Sequence, residues 1–406
     1  MANDHGADQP IEQSTFEGLE DELSPYEQVD ELDVETLEGV VSFTLDWSVQ
    51  SLLERVGTTF DVTPAFQRRD AWTIPQKSRY IESLILGLPV PAVVLAEDAA
   101  TKGKFIVLDG KQRLITIKQF AAPDDTFASF KLRGMEFLPD LEGFDYAGLV
   151  ADAQHSPRAD ALLAQPVRTV VVRNWRNPAV LYQMFVRLNQ SSVPLAPQEL
   201  RQALAPGPFT SWINQRSIDS QQIRMARRLK QQDFRMRDAE MLLRFVALHD
   251  RFAQYHGNLR LFLDEACFDG NDDWRARAAY YEDVAELLEQ SIEVTMSVFD
   301  GDAFMRYDAT GYVGRFNIAV FDAMTLVFAS LDLKAAELNS GQRLELRRGF
   351  EGLCIDNEMF SDALTSTTKT PRNTFGRVYL WAERVQEILK RPVPIAAVAE
   401  QLLNDL

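Results

Sequence analysis

The residues best suited to chemistry in this 406-residue chain are Asp109-Gly110-Lys111-Gln112-Arg113, which place a carboxylate, two cations and an amide within five positions. They follow Phe105-Ile106-Val107-Leu108 and precede Leu114, Ile117 and Phe120. The apolar run reads as a buried strand, and the later spacing as a helix. Gly110 permits a tight turn whose backbone can approach a ligand closely. A helix starting there points unpaired N–H groups and the positive end of its dipole at whatever lies over the turn, which suits a phosphate or another polyanion. On these five residues alone, an ordinary corner whose charges face water is the competing reading.

Two further segments accompany this corner. Upstream stands Pro64-Ala65-Phe66-Gln67-Arg68-Arg69-Asp70-Ala71-Trp72, then Lys77, Ile81-Glu82-Ser83-Leu84-Ile85-Leu86-Gly87 and Pro89-Val90-Pro91. Downstream stand Phe185-Val186-Arg187-Leu188-Asn189-Gln190, Pro194-Leu195 and Gln198-Glu199-Leu200-Arg201. These ordered strings, over roughly residues 42–205, resemble the N-terminal domain of the GmrSD-type restriction endonucleases, prokaryotic defence proteins related in fold to ParB and sulfiredoxin. The family motif is Asp-Gly-Gln-Gln-Arg, and here Lys111 replaces its first Gln.

The resemblance implies nucleotide binding and, in several relatives, nucleoside-triphosphate hydrolysis with Mg²⁺. In this chain Asp109, Gln112 and Arg113 are then the catalytic residues. Gly110 and the following N–H groups would cradle a phosphate, with Arg113 as a planar clamp and Lys111 as a point charge. Asp109 would orient a water or hold the Mg²⁺. Gln67 and Arg68 would close the pocket. Arg187 and Asn189 are either further ligand contacts or a buried brace. Lys111 donates hydrogen bonds but cannot accept one as Gln does, so hydrolysis could weaken while binding survives. Many relatives also carry a C-terminal HNH-type nuclease, whose metal motif needs histidine, and no histidine follows His256. Cutting is therefore expected to fall to a partner or to the ParB-like domain.

Composition bounds the rest. A chain of this length exceeds one hydrophobic core, so two domains and a tail are expected: an acidic tail at 1–40, a mixed α/β phosphate-binding domain at 41–205 and an all-α domain at 206–406, together an α+β protein. Residues 1–40 hold thirteen Asp or Glu and no Lys or Arg, leaving −5 of the −18 net charge for the remainder. Such a tail reads as a disordered spacer, or as an interaction segment for a basic partner or the protein's own basic groove. No run approaches the about 20 apolar residues of a membrane span, and the start lacks signal-peptide character, so a cytoplasmic location is expected. Cys267 and Cys354 lie in apolar helical context and read as buried free thiols. The four histidines show no metal-ligand spacing with them.

Strands are expected near 40–45, 91–96, 104–108 and 165–172, with a hairpin around Arg133-Gly134. Helices are expected at Ser48–Val56, at Ile74–Leu86 with Pro75 in its first turn and Gly87 at its stop, at Leu114–Phe120 and at Pro178–Leu188. After Pro206-Gly207-Pro208 the pattern is helical: 238–255, 272–298, 312–331, 341–356 and 372–389.

Arg224, Arg227, Arg228, Lys230, Arg235 and Arg237 form a basic strip in this half. Against a nucleic-acid backbone it would add salt-dependent, sequence-independent affinity, and otherwise it is a solvated helix face. The expected role is a nucleotide-dependent component of a restriction system acting on foreign or modified DNA. The alternatives are a non-hydrolysing specificity subunit for a separate nuclease or methyltransferase, and a metal-dependent DNase using Asp109. Oligomeric state is open, because no heptad run is long enough for a coiled coil.

Overall fold

A computed structural model describes residues 38–61, 72–98, 101–175, 180–181, 184, 187–188, 197–229, 233, 236–365 and 369–406. The acidic tail up to residue 37 and the Phe66-Gln67-Arg68-Arg69 segment lie outside the described residues, as do Asn189, Lys230 and Arg235. Two compact units emerge: one takes the described residues up to Ile218 and those of 231–239, the other those of 219–230 and 240–406. The result is a mixed α+β chain whose C-terminal region is helical. Among the described residues no helix is long and apolar enough to cross a membrane.

The first unit is built on a five-stranded sheet ordered β1-β5-β3-β4-β2. Its strands are β1 (Val41–Ser48), β2 (Phe60–Asp61), β3 (Val93–Glu97), β4 (Phe105–Asp109) and β5 (Pro166–Arg173). β1 runs antiparallel to β5, β5 parallel to β3, β3 antiparallel to β4 and β4 parallel to β2. Period-two alternation divides the buried side chains between the faces. Val93, Leu95, Val107 and Val167 enter one core, while Val94, Ala96, Ile106, Leu108 and Val172 enter the other.

The helices over the first core are α1 (Val49–Leu53), α2 (Ile74–Ile85) and α3 (Lys111–Ala121), followed by α4 (Tyr146–Ala151) and α5 (Ser156–Ala164). α2 begins as expected. Pro75 occupies the first turn, and the Thr73 N–H donates to Gln76 Oε1 at 2.9 Å, satisfying a group that the helix leaves open. Gly87 follows its end at φ 67°.

No hairpin forms around Arg133-Gly134, where the alternation suggested one. The segment is irregular because α2 supplies the acceptors that a partner strand would give. Ser78 Oγ accepts from the Arg133 N–H at 2.9 Å. The buried Glu82 carboxylate accepts from the N–H groups of Glu136, Phe137 and Leu138 at 3.1, 2.7 and 2.7 Å.

The second unit includes α8 (Gln221–Ala226) and most of α9 (Arg237–Arg251), α6 (Pro197–Leu204) and α7 (Pro208–Asp219) preceding them in the chain. It continues through α10 (Leu259–Asp272), α11 (Trp274–Phe299), α12 (Ile318–Ser330), α13 (Ser340–Asp356), α14 (Glu358–Thr365), α15 (Pro371–Leu389) and α16 (Pro394–Asn404). A short antiparallel hairpin, Tyr307–Asp308 with Gly311–Tyr312, interrupts what the sequence suggested was helix throughout, so α12 starts at Ile318 rather than near Tyr312. Trp381 anchors the core edge-on to Phe328 and Phe350. Asp322 is buried between Arg244, at 2.5 Å, and Arg377, at 3.4 Å. Two cations around one carboxylate compensate a charge that would be costly to bury alone. Cys267 and Cys354 are buried free thiols, as expected, and burial pushes the Cys354 thiol up to about 12.

Candidate phosphate site at the strand-helix corner

β4 delivers Asp109 to the corner through an irregularity in its pairing with β3. Val94 lies opposite Asp109 and Leu95 opposite Val107, so Leu108 has no counterpart and the strand bulges there. Gly110 then takes φ 94° and ψ 11° and serves as the N-cap of α3. A Cβ at this position would lie 3.0 Å from Val93 Cγ2, 3.2 Å from Val93 Cα and 3.3 Å from Arg113 Nη1. Both the left-handed backbone and the close approach of β3 therefore require glycine. The first bond of the helical ladder runs from the Leu114 N–H to the Gly110 carbonyl at 3.0 Å. The N–H groups of Lys111, Gln112 and Arg113 precede that ladder and form the amide end of the helix.

Arg113 takes a position that its residue type alone does not reveal. Nη2 donates to Asp109 Oδ2 at 2.7 Å, while Nη1 donates to the carbonyls of Pro91 and Ala92 at 3.0 and 2.7 Å. The guanidinium is thus engaged in bracing the corner against the start of β3, and its side chain is only 13% exposed. Both terminal nitrogens expected to clamp a phosphate thus already have partners within the protein. It also explains why β3 begins at Val93 instead of Pro91: the two preceding carbonyls serve the arginine, and proline has no N–H for a ladder.

A polar seam that the sequence reading missed runs between α2 and α3. Gln112, Thr116 and Gln119 recur at helical spacing among the apolar residues of α3. Lys77 Nζ donates to Gln119 Oε1 at 2.8 Å and lies 5.6 Å from the Phe130 ring centre. The Thr116 and Tyr80 hydroxyls and Gln112 Oε1 are buried with no hydrogen-bond partner among the described residues. Burial pushes the Tyr80 phenol far above its ordinary value, with the nearby Arg113 charge pulling the other way. Trp72 packs edge-on against Tyr80, with ring centres 5.6 Å apart. Three amides and hydroxyls within one helix face were the available signal.

The donor set fits an anion better than a metal held by protein alone. The glycine cradle and the unpartnered Gln112 oxygen suit a phosphate with its attendant water. Among the described residues no three His, Cys, Asp or Glu gather as a metal site. Asp109 brings one carboxylate, half engaged by Arg113.

Other expected site residues fall elsewhere. Arg187 is helical and exposed, which does not suit a buried brace. The basic strip is not continuous. Arg227, expected on a nucleic-acid face, turns inward with 4% exposure. Arg237 pairs with Asp233 at 3.0 Å. Arg224 and Arg228 are exposed.

No curated protein and no solved structure matches the chain. Residues 49–205 match the family model described as GmrSD restriction endonuclease, N-terminal domain, which supports reading that part of the chain as such a domain.

Proposed function

We propose that residues 49–205 bind a nucleoside triphosphate at the corner formed by Asp109, Gly110 and Lys111 and hydrolyse it, and that the chain serves a prokaryotic restriction or anti-phage system acting on foreign or modified DNA. On this reading the sheet and its helices are a ParB/sulfiredoxin-like fold. The observation that carries it is Gly110, whose left-handed backbone packs against Val93 and starts α3, so that the positive end of the helix dipole lies at the turn. Lys111 adds positive charge beside them. Gln112 orients a water through its unpartnered oxygen, as polar residues do for attack on phosphorus. Arg113 positions Asp109 and the turn. Asp109 would hold a Mg²⁺ accompanying the triphosphate, which would supply charge neutralisation at the phosphate oxygens. Gln67 and Arg68 are assigned to closing the pocket, and Arg187 and Asn189 to further ligand contacts.

A binding module without turnover, acting as specificity or regulatory subunit for a separate nuclease or methyltransferase, is the second reading. Lys111 favours it, because a lysine binds phosphate but cannot accept a proton from water as an amide oxygen accepts a hydrogen bond. Phosphate release from GTP, ATP and CTP, with and without DNA, separates the two. Release that falls in Gln112→Ala supports hydrolysis; binding without release supports the module; neither binding nor release overturns both. Nicking of supercoiled plasmid with Mg²⁺ or Mn²⁺, lost in Asp109→Ala, would instead favour direct cleavage.

A further inference from the structure

In the second unit Asp219, Gln221, Arg224, Met225, Arg228 and Leu229 line a concavity of 520 Å³. The backbone beneath it is a helix stop of defined form. The Arg228 N–H donates to the Met225 carbonyl at 2.9 Å and the Leu229 N–H to the Arg224 carbonyl at 3.1 Å, the paired bonds of a Schellman motif. Arg228 occupies the left-handed position of that motif, at φ 53°, where glycine is the usual residue. Nothing in the turn needs the side chain, and its Cβ makes the conformation less favourable. Arg228 is nonetheless exposed, and its guanidinium makes no hydrogen bond or ion pair among the described residues.

A strained position that keeps a cation unengaged among the described residues points to a ligand. We propose that this concavity docks one phosphodiester of a nucleic-acid strand, with Arg224 and Arg228 on the phosphate oxygens and Met225 and Leu229 against the adjoining sugar or base. The two Schellman bonds occupy the Arg224 and Met225 carbonyls, and the two guanidinium groups lie at the end of the helix that favours cations. Two arginines against one aspartate leave a net single positive charge on the lining, which matches a phosphodiester rather than a free triphosphate. A planar guanidinium suits such an oxygen pair. The site is separate in sequence from the strand-helix corner, and the inference does not require that corner to bind nucleotide.

The test uses the full chain and a short labelled DNA duplex and single strand, titrated at several salt concentrations. Arg228→Gly relieves the left-handed strain while removing the cation, so it is expected to raise the thermal midpoint yet weaken DNA binding about tenfold, lowering the salt slope by about 1. Arg228→Asn, which also tolerates the conformation, is expected to weaken binding likewise, and neither variant should change nucleotide binding at the corner. The proposal is overturned if the wild type binds neither DNA form, if both variants retain wild-type affinity and slope, or if ATP competes at the concentration at which it binds the protein. Loss of nucleotide binding in corner variants with DNA affinity unchanged would leave this proposal standing, and the reverse result would leave the corner standing.

Discussion

Arg113 folds back one helical turn onto Asp109, with 2.7 Å between Nη2 and Oδ2, and its other terminal nitrogen ties the pair to the carbonyls of Pro91 and Ala92. One side chain therefore joins the end of β4, the start of α3 and the start of β3. A double-mutant cycle on Asp109→Asn and Arg113→Ala is expected to show coupling of about 1 kcal/mol in chemical denaturation. Strictly additive losses would mean that the brace is not formed in solution.

Gly110→Ala tests the cradle. The new Cβ meets Val93 at 3.0 Å in a left-handed backbone, so a loss of about 2 kcal/mol is expected from urea unfolding. A variant as stable as the wild type would show that the turn relaxes freely.

Glu82 offers a different test of the same unit. Its carboxylate accepts from three consecutive backbone N–H groups, so Glu82→Ala strands donors that no strand partner can satisfy. The expected cost is about 3 kcal/mol. Amide hydrogen exchange at residues 136–138 should accelerate well before global unfolding; unchanged protection would contradict the role given to Glu82.

His249 sets a pH dependence in the second unit. Burial pushes its imidazole below the ordinary value of 6.5, with Asp250 pulling the other way. Its folded pKa lies under its unfolded one, so its contribution is complete above about pH 6.5 and is lost as pH falls towards the depressed folded value. The unfolding free energy should therefore fall between pH 7 and 5 with a slope of at most about 1.4 kcal/mol per pH unit from this group, and the thermal midpoint with it. His249→Phe should flatten that part of the curve, and an unaltered slope would remove His249 as its source. Asp250 stays out of this window, for Arg277 and Tyr280 hold its carboxyl below the usual range against the effect of burial.

How far the chain could be read depended on whether the deciding interaction was local. β4, Gly110 and α3 were legible because four apolar residues, a glycine and a 3.6-residue period sit side by side in sequence. The start and stop of α2 were legible for the same reason, through Pro75 and Gly87. The false hairpin at 130–137 shows the limit, since its N–H groups are satisfied by Glu82 and Ser78, more than fifty residues away. Arg113 shows it again: charge type suggested a phosphate clamp, while the carbonyls of Pro91 and Ala92, just before β3, engage it as a brace. Arg227 is buried despite its type, and only tertiary packing decides that.

The central claim is that the glycine corner grips the phosphates of a nucleotide. Calorimetric titration of ATP, GTP and CTP into the full chain, for wild type and Lys111→Ala, tests it most directly. At least one nucleotide should bind, and its affinity should fall about tenfold in Lys111→Ala, as loss of one charge-assisted contact predicts. No binding by the wild type, or equal affinity in both proteins, would contradict the claim.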